Sequence, residues 1–162
     1  MQFISWNCKG LGNPIKAQAV KDLLKMARVE ILLLQETKIE EEALLLVSKN
    51  KWKLNGGKAV NARGTYGGLT TLCSDENFQL KNWFATQHWI FSELFHIASK
   101  TSVALFNLYV PVNHNEKREC WSSLTDFLVS NSPVNIILAG DLNICLAPNK
   151  KKRRTAWKGF YD

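Results

Sequence analysis

The apolar positions along the chain fall into two patterns, some recurring every three or four residues and others alternating or clustering without a break. Between Pro14 and Arg28, Ile15, Ala19, Val20, Leu23, Leu24 and Ala27 keep helical spacing, and Pro14 suits a helix start, where an N–H has no partner to lose. "KRECWSSLTDFLVS" sets Cys120, Leu124, Phe127 and Leu128 on one helical face, and "EEEALLLVSK" reads as another helix. "FISWN" alternates and runs into Gly10 and Gly12, as a strand ending in a turn does. "ILLLQE" and "VNIILAG" are apolar on both faces, the pattern of strands covered by helices. In the middle, Gly56, Gly57, Gly64, Gly67 and Gly68 break up short segments. "LTTLCS", "FQLKNW", "HWIFSELFHIA" and "SVALFNLYV" then predict a meander of antiparallel strands.

Strand, helix, strand, a β-rich stretch, helix and strand is the order of an α/β sandwich built on mixed sheets. With 162 residues, 46% of them hydrophobic, the chain can bury one core, and no repeat or linker divides it. Residues 1–149 are expected to form the domain and 150–162 a basic tail. No apolar run is long enough to cross a bilayer, and "MQFISWNCKG" lacks the pattern of a secretory signal, so an intracellular protein without membrane attachment is expected.

Charge changes the picture only at one end. Of the net +7, the last thirteen residues carry +5, six Lys or Arg against one Asp. Lys150, Lys151, Lys152, Arg153 and Arg154 form a run that suits DNA phosphates or a nuclear-import receptor, while a solvated charged end is the plain alternative. The four cysteines, Cys8, Cys73, Cys120 and Cys145, include no Cys-x-x-Cys pair, which removes zinc knuckles and dithiol redox chemistry and leaves buried free thiols.

The candidate chemistry sits where apolar strands end. Asn7, Glu36, and Asp141 with Asn143 each follow such a strand, and if these strands are parallel neighbours their polar groups converge on one rim. Taken singly, either acid could cap a helix. Oxygen ligands without a His or Cys cluster point to a hard cation such as Mg²⁺, which keeps waters and takes few carboxylates from protein. Tyr109, at the end of "NLYVP", could donate its phenol to a phosphate oxygen, although an aromatic there is as readily core.

"SWNCKGLGN", "LLLQETK", "YGGLTTLCS", "NLYVP" and "ILAGDLN", in that order, resemble the endonuclease/exonuclease/phosphatase superfamily with its DNase I-like fold. The phrasing of the first two is most similar to the endonuclease domain of plant LINE-type non-LTR retrotransposons. The resemblance implies a DNase I-like α/β sandwich and Mg²⁺-dependent hydrolysis of a DNA phosphodiester, with Mn²⁺ as a possible substitute and no small organic cofactor. It makes Glu36 and Asn7 the metal-side residues. Asp141 would activate the attacking water, Asn143 would help hold it, and Tyr109 would steady charge on the phosphoryl oxygens.

Two features depart from that pattern. The family's carboxy-terminal Ser-Asp-His motif does not occur, since the last histidine is His114. Where many relatives place Asn directly after the Pro, Val112 follows Pro111 and the amide comes one residue later, at Asn113. The expectation is therefore a C-terminally truncated domain with impaired turnover and an open sheet edge that a protein partner could complete, and its rival is an inactive remnant that binds nucleic acid or such a partner.

Overall fold

The computed structural model describes residues 1–63 and 66–144, without the side chains of residues 62, 63 and 66. Cys145 and the basic run 150–154 lie outside the described residues. In chain order the elements are β1 (Phe3–Asn7), α1 (Pro14–Ala27), β2 (Ile31–Gln35), α2 (Glu41–Val47), β3 (Gly56–Arg63), β4 (Tyr66–Cys73), β5 (Phe78–Ala85), β6 (Trp89–His96), β7 (Thr101–Tyr109), α3 (His114–Asn131) and β8 (Ile136–Asp141). Among the described residues no helix is long and apolar enough to cross a membrane.

The strands make two four-stranded sheets, ordered β1-β2-β4-β3 and β5-β6-β7-β8. Each sheet has one parallel pair, β1 with β2 and β7 with β8, joined by a helical crossover through α1 or α3. The remaining pairings are antiparallel. This is the expected α/β sandwich, with one correction: the β-rich middle is not a single meander. The chain crosses between sheets after β4, because β4 pairs back onto β2 while β5 opens the second sheet. Strand β3 also forms where glycines suggest interruption. A side chain at Gly57 would overlap the Thr71 carbonyl of β4, so glycine there permits close approach of the two strands.

Helix boundaries follow side-chain caps. Asn13 Oδ1 accepts from the amide of Ile15, and Asn113 Oδ1 accepts from the amides of Asn115 and Glu116, which starts α3 at His114, three residues before the segment read as helical from Lys117. Of the six apolar positions predicted for the inner face of α1, Val20 and Leu24 are buried, whereas Ile15 lies 76% exposed in the first turn.

Strand alternation divides the core into three layers. Leu32 and Leu34 of β2 meet α1 and α2 together with Val20, Leu24 and Leu44. Phe106 and Leu108 of β7 meet Cys120 and Leu124 of α3. Ile31, Leu33, Cys73, Phe78, Leu94 and Leu105 close the space between the sheets. All five residues of β2 are buried, as an apolar run on both faces requires.

Candidate active site

The polar strand ends predicted from the sequence meet at one end of the sandwich, and strand parity is the reason. In β1, Ile4 and Trp6 go to the helical side, which leaves Ser5 and Asn7 facing the second sheet. In β7, Leu105 belongs to the layer between the sheets, so Asn107 and Tyr109 share its face, and in β8 Ile137 and Ala139 bring Asp141 to the same side. Both parallel pairs end at this rim.

There the Asn7 side-chain amide donates to Glu36 Oε1 at 2.9 Å and to Asp141 Oδ2 at 2.7 Å. One amide thus ties carboxylates of the two sheets together, and Asn7 Oδ1 accepts from the Lys9 amide at 3.2 Å, which fixes its orientation. Asp141 Oδ1 accepts from the Asn143 amide at 3.1 Å. The Asn143 side chain donates to the Val110 carbonyl at 2.8 Å, and Lys117 Nζ donates to the Asn143 carbonyl at 2.8 Å. Tyr109 stands opposite Asp141 in the β7–β8 register. Asn7 is therefore in direct contact with both Glu36 and Asp141, with Asn143 and Tyr109 as flanking neighbours.

The backbone around the rim is held in an uncommon form. Lys9, Glu36, Lys38 and Asn143 all have left-handed φ values, between 46° and 53°. That conformation costs a non-glycine residue roughly 1–2 kcal/mol, so neighbouring bonds must maintain it. Here the amides of Gly10 and Leu11 donate to the carbonyls of Glu36 and Thr37 at 2.6 and 2.8 Å. Lys16 Nζ reaches back from α1 to the carbonyls of Cys8, Lys9 and Gly10 at 2.8–3.0 Å. The buried Cys8 thiol donates to the Gln35 carbonyl at 3.2 Å; burial pushes its pKa up to about 11, which keeps it a protonated donor and not a nucleophile. Gly140 matters in the same way: a side chain there would overlap the Leu108 carbonyl, so the residue before Asp141 has to be glycine for β8 to lie against β7.

Behind the rim lies a polar link that sequence reasoning missed. Gln35 and Asn107 are 1% and 0% exposed, and Gln35 Nε2 donates to Asn107 Oδ1 at 2.7 Å and to Ser5 Oγ at 3.1 Å. Asn107 Nδ2 donates in turn to the carbonyls of Leu34 and Thr70 at 3.2 and 2.8 Å. Gln35 directly precedes Glu36, and Asn107 lies two residues before Tyr109, so this pair sets the spacing between the two halves of the site. The only signal for it was polarity inside an apolar strand.

Charge at the rim suits a hard cation. Lys38 Nζ approaches Glu36 Oε2 at 3.6 Å, and among the described residues Asp141 has no ion pair. Among the described residues two part-buried carboxylates share one neutral amide, and one partly exposed ammonium pairs with Glu36; the ligand atoms the two acids offer are all oxygen. Among the described residues no three His, Cys, Asp or Glu side chains gather into a metal-holding group. Glu36 and Asp141, with the Asn7 amide between them, are the oxygen-bearing side chains that could take part in holding a divalent ion.

The histidines are placed differently from one another. The His114 ring pairs with Arg118 at 3.2 Å on the surface of α3. His88, read from sequence as an ordinary strand residue, sits in the turn before β6, and its carbonyl accepts from the Tyr109 amide at 2.8 Å. Burial lowers its pKa, so it is neutral at pH 7. With Tyr109 it lines a cavity of about 440 Å³ beside the rim.

Residues 4–161 match the profile of the Endonuclease/Exonuclease/phosphatase family. Among solved structures, D. rerio TDP2 complexed with single strand DNA product is 16% identical over 88% of this chain and 60% of that one, with a TM-score of 0.64. The human Nocturnin catalytic domain with bound sulfate anion is 15% identical over 88% and 64%, with a TM-score of 0.62. A mannosyl-6-phosphatase of Bacteroides thetaiotaomicron is 11% identical over 88% and 65%, with a TM-score of 0.67. At these identities the likeness is one of fold, and the chain spans less than two thirds of each structure. No curated protein sequence matches it.

Proposed function

The chain belongs to the endonuclease/exonuclease/phosphatase family, and from that premise we propose that it is a Mg²⁺-dependent DNA phosphodiesterase domain of the plant LINE retrotransposon type. The observation that carries this reading is the Asn7 amide bridging Glu36 and Asp141 at the end shared by both parallel pairs. Glu36, with Asn7 beside it, would hold the cation. Bound there, Mg²⁺ would neutralise charge that builds on the phosphoryl group. Asp141 would accept the proton of the attacking water, Asn143 would orient that water, and Tyr109 would donate to a phosphoryl oxygen. The fold alone does not select the substrate, since the three similar structures include a DNA-bound protein and a sugar phosphatase. The "WNCKGLGN" and "LLLQETK" phrasing supports DNA.

Lys150, Lys151, Lys152, Arg153 and Arg154 would contact DNA phosphates away from the reacting one and direct nuclear import; a reporter fused to this run that stayed cytoplasmic would count against the second role.

The test is nicking of supercoiled plasmid by the purified chain with and without Mg²⁺. Metal-dependent nicking that falls about 10²- to 10⁴-fold in Asp141→Ala, and disappears when Glu36→Ala is added, is the expected result. Cleavage of a soluble phosphomonoester but not of plasmid would overturn the choice of substrate. A second reading, binding of nucleic acid or a protein partner without turnover, is favoured by strand β8. Among the described residues it is a sheet edge with Ile136 and Leu138 45% and 47% exposed, and no histidine stands against Asp141. Folded protein that binds DNA and nicks none of it would establish that reading.

A further inference from the structure

A second cavity, of about 330 Å³, lies at the end of the sandwich away from the rim. Arg28, Val29 and Glu30 lead into β2, Ser74 follows β4, and Leu54 stands just before β3, whose first residue pairs with the last of β4. β2 runs from this end to Gln35 at the rim, so its five residues, at roughly 3.3 Å each, put about 16 Å between the two places.

The lining is cationic. Lys21 and Lys25 come from α1, Arg28 from the turn after it, and Lys51 and Lys53 from the segment before β3. Against these five stands Glu30, a local balance of +4, although residues 1–149 together carry only +2, so the rest of that stretch is net negative. Among the described residues none of the five makes an ion pair or a side-chain hydrogen bond. Glu30 is already engaged: Oε2 accepts from the Gln2 amide at 2.8 Å and lies 3.4 Å from the Met1 amino group, and Oε1 accepts from Asn77 at 3.0 Å. Like charges gathered around one cavity repel one another, and an anion placed among them relieves that repulsion.

The floor narrows the kind of anion. Leu24, Trp52 and Leu54 are buried, and the Trp52 indole N–H donates to the Ala17 carbonyl at 3.1 Å. That floor offers neither the open apolar pocket on which a protein interface depends nor an aromatic face for a base to stack on. A nucleic-acid backbone needs neither, and a duplex presents one negative charge per about 1.7 Å of its axis.

We propose that this cavity is a second nucleic-acid site, which binds a duplex through its backbone phosphates, without reading sequence, at the end of the molecule opposite the rim. A duplex is stiff over such a span, with a persistence length of about 50 nm, so one lying across the rim does not turn round to reach the cavity. The two ends take separate segments, and the chain bridges them. Bridging needs no turnover at the rim.

The test captures the chain on a short immobilised duplex in EDTA, which prevents metal-dependent cleavage, and titrates a second, labelled duplex over it. The comparison is a Lys21→Gln, Lys25→Gln, Lys51→Gln variant, which leaves Arg28 and Lys53, both in left-handed conformations, untouched. Saturable capture of the second duplex by the parent chain is expected. In the variant it should weaken about tenfold or more at an unchanged melting temperature, and the log–log dependence on salt should fall by about 3, one for each phosphate contact removed. No second duplex on the parent, or equal capture by parent and variant, would overturn the site. Displacement of the labelled duplex by polyglutamate as readily as by unlabelled duplex would assign the cavity to an acidic protein segment and overturn it likewise. Plasmid nicking separates this site from the rim: nicking without bridging removes the second site alone, and bridging without nicking removes the DNA-cleaving reading alone.

Discussion

The β1–α1–β2 and β7–α3–β8 units use the same device, a right-sized helical crossover that returns the chain as a parallel strand ending in an acid, yet they bury that strand very differently. β2 is an inner strand, hydrogen-bonded to β1 and β4, and buried at every residue. Among the described residues β8 is an edge strand, bonded only to β7, with its outward side chains half exposed. Glu36 is therefore positioned by the core, whereas Asp141 is positioned by lateral bonds, from Asn7 across the sandwich and from Asn143 beyond it. A rim shared by two sheets does not need equal burial on its two sides, provided that the weaker side is tied to the stronger one.

Equivalent truncations in the two strands give the largest expected contrast. Leu33→Ala removes a side chain with 0% exposure from the layer between the sheets and should cost about 2–5 kcal/mol in denaturant unfolding, whereas Leu138→Ala, at 47% exposure, should cost less than about 1 kcal/mol. Similar losses at both positions would mean that β8 is covered in solution. Next in size is the tie between the halves. Asn107→Leu keeps the volume but leaves Gln35 Nε2 and the carbonyls of Leu34 and Thr70 without that partner, a loss of about 1–3 kcal/mol. Adding Gln35→Leu should then cost less than it does in the parent chain, because the two side chains form one network; additive losses in the double-mutant cycle would disprove that coupling.

How much of this was legible in the sequence differs between the same two halves of the problem. β2 was readable because a doubly covered strand has to be apolar on both faces, and β1 by its alternation. "VNIILAG" shows the same apolar run as β2 yet forms a strand with half-exposed side chains, and parallel pairing brings Asn7 and Glu36 together while Asp141 meets them through the packing of the two sheets. The allotment of strands to sheets was not readable: "LTTLCS" and "FQLKNW" show the same β-rich pattern, and it is pairing partners distant in sequence that send β4 to one sheet and β5 to the other. Glu36 and Lys38 in left-handed conformations carry no local signal, because the bonds that impose them come from the loop after β1. Asn113 was noted as an amide one residue later than in many relatives, and its oxygen caps α3. His88 was passed over because a turn residue beside Tyr109 looks, in sequence, like the start of any strand.

The two crossover helices sharpen the comparison at a smaller scale. Asn13 accepts one backbone amide and Asn113 two, so Asn113→Ala should destabilise by about 1 kcal/mol and Asn13→Ala by less, measured as shifts in unfolding midpoint. A reversed order would mean that α1 depends on its cap more than the Lys16 bonds to three carbonyls suggest.

The smallest effect on stability belongs to Lys38, and it bears most directly on the asymmetry of the rim. Its ammonium lies 3.6 Å from Glu36 with the lysine side chain 42% exposed, a geometry in which an ion pair contributes roughly 0–1 kcal/mol and is screened by salt. Lys38→Met should thus leave the unfolding midpoint almost unchanged. Its consequence is electrostatic: Glu36 loses its ammonium, and among the described residues it then stands without an ion pair, as Asp141 does. A divalent cation should then bind more tightly, by about two- to threefold at low ionic strength, with the gain vanishing near 0.5 M salt as screening removes it. Calorimetric titration with Mg²⁺ and with Mn²⁺ measures this directly. Unchanged or weaker affinity would mean that Glu36 is not on the cation's side of the rim, and that Asp141, on the exposed strand, carries the metal chemistry instead.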